Sequence, residues 1–517
     1  MRLSRCAMRL SRCATRLSRC AVMLGALALA ACAVGPNYRV PESDAPPAFV
    51  AQPANARAAV DADLGNWWKS LNDPELDSLV ERAVKSNLDL QVALDRLQAA
   101  RTYEAVVLGH ALPEVDATGA AAKGTGSDLA RGRAGQGLRS ADNTNGLQHI
   151  NTIAGFEAVW ELDLFGKFRR EFEAARADAD AARAARNDVL TVVVADVVRA
   201  YIDLRGFQLR DGILHQADSL LQESSRIVQI RYQRGITNEL DVQLATRELA
   251  TLEAQIAPVE AQISAAEYSL AVLLGEYPET LLGELSAPGL IPTMPPPAAP
   301  GVPLDLLKRR PDIQQAERQL AAATARIGVA TANLFPQVEV VGAIGSQEQG
   351  LGTTPSVAKH IWSLGPGAVW PILDFGALDA QVDIADLNAR SKMAEYRKAI
   401  LNAVQEVDGA LRAFQADQDR LDKLGEAVMS GQRAVDLANA RYDRGLTDFL
   451  NVVDAERQFY DLQEQYAQAQ VAQGDEFVAL YKSLGGGWQN FQAVPAIRLP
   501  QPAIVAAFRR ALTPSAH

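Results

Sequence analysis

Apolar positions between Leu190 and Leu204 fall on one helical face at i, i+3, i+4, i+7, i+11 and i+14: Leu190, Val193, Val194, Val197, Tyr201 and Leu204. That spacing predicts an amphipathic helix with a coiled-coil-like seam. The set returns 210 positions later as Ile400, Ala403, Val404, Val407, Leu411 and Phe414. No proline lies between Pro113 and Pro258, or between Pro371 and Pro495. Lys167 to Arg234 and Ala377 to Arg444 are therefore each predicted to run about 68 residues, or about 100 Å at 1.5 Å per residue. Gly235 and Gly445 end these helices in a C-cap position. Thr237-Asn238 and Thr447-Asp448 supply N-cap chemistry for return helices to about Leu274 and Leu484. Pro258, with no counterpart in the second return helix, predicts a kink there.

Upstream, Asn72-Asp73-Pro74 makes a cap before Leu76, Leu79, Val80 and Val84, and a second helical stretch runs from Leu88 to near Pro113. The period then changes to two. Glu114 to Ala120 and Ile150 to Asp163 read as strands, and Phe156, Ala158, Trp160 and Leu162 alternate with Glu157, Val159, Glu161 and Asp163. Gln337 to Ser346 and a strand carrying Trp362, Leu364, Ala368, Trp370 and Ile372 repeat the pattern. One face is apolar and aromatic, the other largely acidic. Such a face suits lipid, with Trp160 and Trp370 toward the bilayer and Glu161 and Asp163 toward a lumen. Gly/Ser/Asn/Thr-rich loops join the strands of each pair, Gly124 to Asn145 being the longer.

The chain is a duplication. RYQRGITNELDVQLATREL from Arg231 returns as RYDRGLTDFLNVVDAERQF from Arg441 with nine of nineteen residues identical. Asp89, Leu97 and Pro113 match Asp312, Leu320 and Pro336 at an offset of 223. Each copy reads helix, strand hairpin, long helix, tight turn, return helix. The copies span residues 63–283 and 304–488, separated by a Pro-rich linker at 284–303 and followed by a tail at 489–517.

The N-terminus reads as an address. Three tandem heptads, MRLSRCA, MRLSRCA and TRLSRCA, carry six Arg and no acid, and an apolar run then leads to Leu29-Ala30-Ala31-Cys32. This is a lipoprotein signal over residues 1–31, with Cys32 the expected site of a diacylglycerol and an N-acyl chain and residues 32–62 an extended strap. Without the signal, 45 basic residues face 62 acids, a charge of about −17. An acidic chain of this kind is not expected to bind nucleic acid. The five histidines (110, 149, 215, 360, 517) read as scattered, without Cys or carboxylate partners at ligand spacing, so no metal site is expected. No nucleophile–base pair or phosphate loop is present, and no catalysis or cofactor is expected. Lys308, Arg309, Arg310 and Asp312 form a charged cluster whose role at the junction of the copies reads as structural, and Trp67 and Trp68 read as packing anchors.

No mature segment offers about 18 uninterrupted apolar residues, so a membrane crossing would have to use strands. Four strands cannot close a barrel, and open edges are not tolerated in lipid. Two or three chains must share one barrel.

Nearly the whole mature chain resembles the outer-membrane efflux proteins, the TolC-like and OprM-like channels, and among them the NodT-type lipoproteins. The resemblance is carried by Cys32 with Gly35-Pro36-Asn37-Tyr38, Trp67-Trp68 with Asp73-Pro74, GVPLDLLKRRPDIQQAE from Gly301, Glu161-Leu162-Asp163-Leu164-Phe165-Gly166, Gln405-Glu406-Val407 and RYDRGLTDFLNVVDAERQ from Arg441. It implies a mainly α fold with a small β-hairpin pair: a trimeric α-helical barrel continuous with a 12-stranded transmembrane β-barrel. It implies outer-membrane placement and the role of passive exit duct in a tripartite RND-type pump, with an inner-membrane transporter and a periplasmic adaptor (membrane fusion protein). It further implies a pore constriction at Leu450, Asn451, Asp454 and Arg457, beside tip turns at Gly235, Thr237, Gly445 and Thr447. A ring of Asp454 carboxylates would favour cations, less strongly where Asn451 replaces an acid. The alternatives are a type I protein-secretion duct of the same fold and a lipid-tethered periplasmic helical adaptor.

Overall fold

The computed structural model describes residues 33–42, 46–51, 64–125, 148–296, 303–351 and 357–491. A short 3-10 segment, Leu64–Leu71, precedes α1 (Pro74–Ser86) and α2 (Leu88–His110). Then follow β1 (Glu114–Thr125), β2 (Gln148–Leu162), α3 (Lys167–Gln233) and α4 (Glu239–Leu274). The second copy repeats them as α5 (Pro303–Arg309), α6 (Pro311–Ala332), β3 (Gln337–Leu351), β4 (Val357–Val369), α7 (Ala377–Asp443) and α8 (Phe449–Ser483). The two long helices are 67 residues each, about 100 Å. Among the described residues no helix is long and apolar enough to cross a membrane.

Local chemistry sets the boundaries. Asp73 accepts from the amides of Glu75 and Leu76 to open α1, and Asn87 accepts from Leu90 to open α2. The helix α4 runs through Pro258, which removes one backbone donor from its interior. Asp163 lies just past β2 rather than in a strand, and its carboxylate accepts from the amides of Phe168 and Arg169 at 3.3 and 3.1 Å. It anchors the start of α3, and Arg169 pairs with it at 3.1 Å.

The four strands form one antiparallel sheet in the order β1-β2-β3-β4. Ala117, Phe156, Ile344 and Trp362 lie side by side across it. Phe156 is 59% and Trp362 76% exposed, whereas neighbouring Glu157, on the opposite face, is 7% exposed. That opposite face also carries Asp116, Glu161 and Glu339. Paired Gly155 and Gly345 sit on it, where an added Cβ would lie 2.5 to 2.7 Å from a carbonyl oxygen of the other strand. The two glycines thus let the strands approach closely on the acidic face. The outer edges of β1 and β4 have no strand beside them among the described residues.

β4 ends at Val369, so Trp370 and Ile372, expected within it, fall outside the strand. The reason is pairing: Gln337↔Val369 is the last β3–β4 pair, whereas β2 is held by β3 as far as Leu162. Trp370 still mirrors Trp160, since its indole donates to Leu334 O at 3.0 Å and that of Trp160 to Ala111 O at 3.1 Å. Both donor and acceptor thus obey the offsets of 210 and 223.

α3 packs on α2, α4, α6 and α8, while α7 packs on α6 and α8. The main core gathers Leu190, Val194, Val197, Tyr201 and Leu204 of α3 with Phe477 and Tyr481 of α8 and Trp67 and Trp68. Trp67 stacks on Tyr481 at 5.2 Å, as expected of an anchor. The second-copy seam residues Ala403 and Val407 centre another cluster with Ile313 and Leu320.

Candidate functional site

The tips of the two long hairpins are built alike. Gly235 has φ 69° and Gly445 φ 67°, left-handed values at which a side chain is strained. The amides of Gly235 and Ile236 donate to Tyr232 O and Arg231 O, and those of Gly445 and Leu446 to Tyr442 O and Arg441 O, all at 2.9 Å. Each is a Schellman turn. Entry to the return helices differs. Asn238 accepts from Asp241 N at 3.1 Å and Thr237 donates to the Asp241 carboxylate, but Asp448 makes no side-chain cap. There Asn451 Nδ2 donates to Thr447 Oγ1 at 2.8 Å instead.

Val228 and Ala245 of the first hairpin pack on Phe449, Val452 and Val453 of the second. Arg231 lies 4.3 Å from the Tyr442 ring centre and 3.9 Å from Asp443. Asp454 is exposed and accepts from Arg457 at 3.0 Å and Gln458 at 2.8 Å. Its charge is therefore largely compensated within the chain, and the Asp454 hydrogen bond raises the Arg457 pKa. Leu450 is exposed, as are Ile236, Leu240 and Leu446, so each tip presents two apolar side chains to solvent.

Glu456 escaped the sequence reading. It is 4% exposed at the tip, its pKa raised by burial against opposing hydrogen bonds from Asn439 of α7 and Ser224 of α3. A carboxylate one residue before Arg457 on an apolar helix face is the signal that marks it.

At the other end, the strap docks on α3 and α6. Val34 N donates to Phe165 O at 3.1 Å, and buried Arg170 donates to Val34 O, Gly35 O and Asn37 Oδ1 at 3.1, 3.2 and 2.7 Å. Gly35 lies so close to Gly328 that a Cβ would meet its Cα at 2.4 Å. Tyr38 donates to Glu317 with Arg318 over its ring, and burial raises its pKa. Ala33 abuts Gly166 at the strand–helix junction. Cys32 itself lies outside the described residues.

The charged cluster between the copies is a structural lock. Arg310 is 7% exposed and donates to Asp312 at 2.7 Å, Glu406 at 2.7 Å and Ser483 O at 2.9 Å. Asn87, its counterpart at an offset of 223, donates to Leu273 O at 2.8 Å, the equivalent of Ser483. Beside Arg310 is a cavity of about 500 Å³ lined by Asp188, Arg199, Glu406, Glu476 and Lys482 among others. Burial, with Asp312 adding repulsion, pushes Asp188 up to about 6; burial and Asp203 do the same for Asp475.

One histidine departs from expectation. His215 shares α3 with Asp211 one turn earlier, and the hairpin brings Glu260 of α4 beside both. Their ligand atoms all lie within 4.8 Å of one another. The Asp211–His215 spacing was visible in sequence; Glu260, far along the chain, was not.

The model of the family described as "Outer membrane efflux protein" matches residues 79–276 and 302–486, both copies. The chain belongs to the outer membrane efflux protein family. Nodulation protein T of Rhizobium leguminosarum bv. viciae is 31% identical over 499 residues, covering 95% of this chain and 97% of that protein. The pyoverdine export outer membrane protein OpmQ of Pseudomonas putida is 32% identical over 451 residues, covering 86% and 93%. The solved outer-membrane channel OprN superposes with a TM-score of 0.79 at 35% identity, covering 89% of this chain and all of that one. This efflux protein is thus an outer-membrane protein extending into the periplasm, and its fold is the mainly helical TolC-like one.

Proposed function

We propose that the chain is the outer-membrane lipoprotein duct of a tripartite RND-type efflux system: a passive exit for drugs or other small molecules. Three chains together make a 12-stranded barrel and a helical tunnel. The observation that carries this reading is the sheet, with one apolar and one acidic face and, among the described residues, no strand beside either edge, joined directly to two 67-residue helices. An open-edged sheet with an outward aromatic face is viable in lipid only when neighbouring chains close it. The helices, about 100 Å long, carry the tips far from the sheet, where they meet an inner-membrane transporter and its periplasmic adaptor. Exposed Ile236, Leu240, Leu446 and Leu450 support a partner there.

Cys32 carries the lipid. Support comes from the Leu29-Ala30-Ala31-Cys32 signal and from Ala33, which packs on Gly166 at the strand–helix junction. Leu450, Asn451, Asp454 and Arg457 line the constriction, which the adaptor opens by parting the turns at Gly235 and Gly445. The reading is tested by purifying the chain from outer membranes and recording it in planar bilayers: a heat-sensitive oligomer with a small closed-state conductance is expected. A water-soluble chain without conductance would overturn it.

A further inference from the structure

We propose that Asp211, His215 and Glu260 form a divalent transition-metal site that clamps α3 to α4. The donor set is one imidazole nitrogen and two carboxylate oxygens, the mixture that suits zinc or copper rather than magnesium or calcium. His215 Nε2 and Asp211 Oδ1 are 3.6 Å apart. Two ligands of a tetrahedral zinc ion, each about 2.0–2.1 Å from the metal, stand about 3.3 Å apart, so the pair needs little movement to chelate.

A second observation concerns the oxygen itself. Asp211 Oδ1 is buried and accepts no hydrogen bond, an arrangement that is costly unless something else meets it. Among the described residues neither Asp211 nor Glu260 has a Lys or Arg ion pair; the nearby Arg210 is turned to Glu464 and Gln262. Two carboxylates without a Lys or Arg partner, beside an imidazole nitrogen, therefore offer a cation its ligands. The remaining coordination positions are open to water.

The site belongs to one copy only. At an offset of 210 the same positions hold Leu421, Gly425 and Gln470, none able to replace the set. His215 lies twenty residues before the Gly235 turn, about 30 Å along the helix. A bound ion would join the two limbs of the first hairpin and stiffen that tip while leaving the second unaffected. The duct would thereby respond to metal in the compartment around it.

The test uses full-length, tag-free protein in detergent, stripped with EDTA and titrated calorimetrically with Zn²⁺ alone. Saturable binding near one ion per chain is expected, weakened at least about tenfold by His215→Ala and by Glu260→Gln. Cu²⁺ added alone should give an electron paramagnetic resonance spectrum with nitrogen coupling that His215→Ala removes. Zn²⁺ should also slow amide exchange across residues 205–265 in the parent protein only. Absence of saturable binding, or binding equal in both variants, overturns the site; binding without slower exchange overturns the clamp. Both variants change exposed side chains, and none of these readouts depends on channel activity, so failure here would leave the duct reading intact.

Discussion

α3 and α7 have the same length, the same seam and the same turn at the far end, yet they live in different surroundings. In α3 all six seam residues are buried; in α7 Ala403, Val407 and Phe414 are buried while Ile400, Val404 and Leu411 are half-buried. α7 also exposes Ile384, Leu387, Leu401, Met429 and Leu437. The junctions differ in the same sense: Phe165 stacks on Phe335 of the other copy at 4.7 Å, but its counterpart Phe375 is 92% exposed. The first copy is covered by the second. In the proposed trimer the second would be covered by the first copy of another chain, and the contact inside one chain would be the template for the contact between chains.

The largest expected effect is at the lock between copies. Arg310→Ala leaves Glu406 and Asp312 without their buried cation and should destabilise the fold by about 3–5 kcal/mol, whereas Asn87→Ala at the matching position should cost about 1–2 kcal/mol. Denaturant titration followed by circular dichroism measures both, and equal losses would break the analogy. Next comes the sheet: Phe156→Arg should cost about 2–4 kcal/mol on the lipid face and suppress assembly, while Glu157→Arg on the other face should be tolerated better. Comparing heat-resistant oligomer in outer membranes decides between a lipid-facing and a soluble sheet.

A surface change on α7 sharpens the comparison differently. Leu401→Glu should leave helicity intact and lower the oligomer yield several-fold on gel filtration, because the side chain is 71% exposed in a single chain. A pH effect follows from Asp188. Its folded pKa, about 6, lies above the unfolded value, so the folded state binds the extra proton. That stability is present below about pH 4 and is lost as pH rises through 6. Asp188→Asn should therefore stabilise the protein by about 1–2 kcal/mol at pH 7.5 and by little at pH 4, read from thermal melts. The smallest effect is expected at the tip. Asp454→Ala should raise single-channel conductance and weaken cation preference only modestly, since Arg457 already offsets the carboxylate.

The duplication made most of the architecture legible. Residues 231–249 recur as 441–459, and the tip turns and the lengths of the two long helices followed from that one offset to within a residue, whereas the caps did not: Asn238 caps its helix and Asp448 does not. What stayed hidden depended on partners distant in sequence. The seam pattern of α7 reads like that of α3, although one is buried throughout and the other only in part. Trp370 alternates correctly yet leaves the strand because nothing pairs with β4 beyond Val369. Asp163 reads as a lumen charge, but it closes a helix terminus. The metal-binding potential of His215 required a hairpin to bring Glu260 to it.

The claim that chains close one another's sheets is most directly tested by a cross-link whose position the internal template dictates. Val159 pairs with Val341 inside the chain, so at the same offsets Val369 of β4 should stand opposite Thr118 of β1 in the next chain. Strand partners sit about 4.5–5.5 Å apart at Cα, within disulfide reach. With Val369→Cys and Thr118→Cys in one chain, mild oxidation of outer membranes should yield a ladder ending at a covalent trimer. Shifting one cysteine to Gly119 should abolish it. A product that stays monomeric, or cross-links equally at both registers, would contradict the shared barrel.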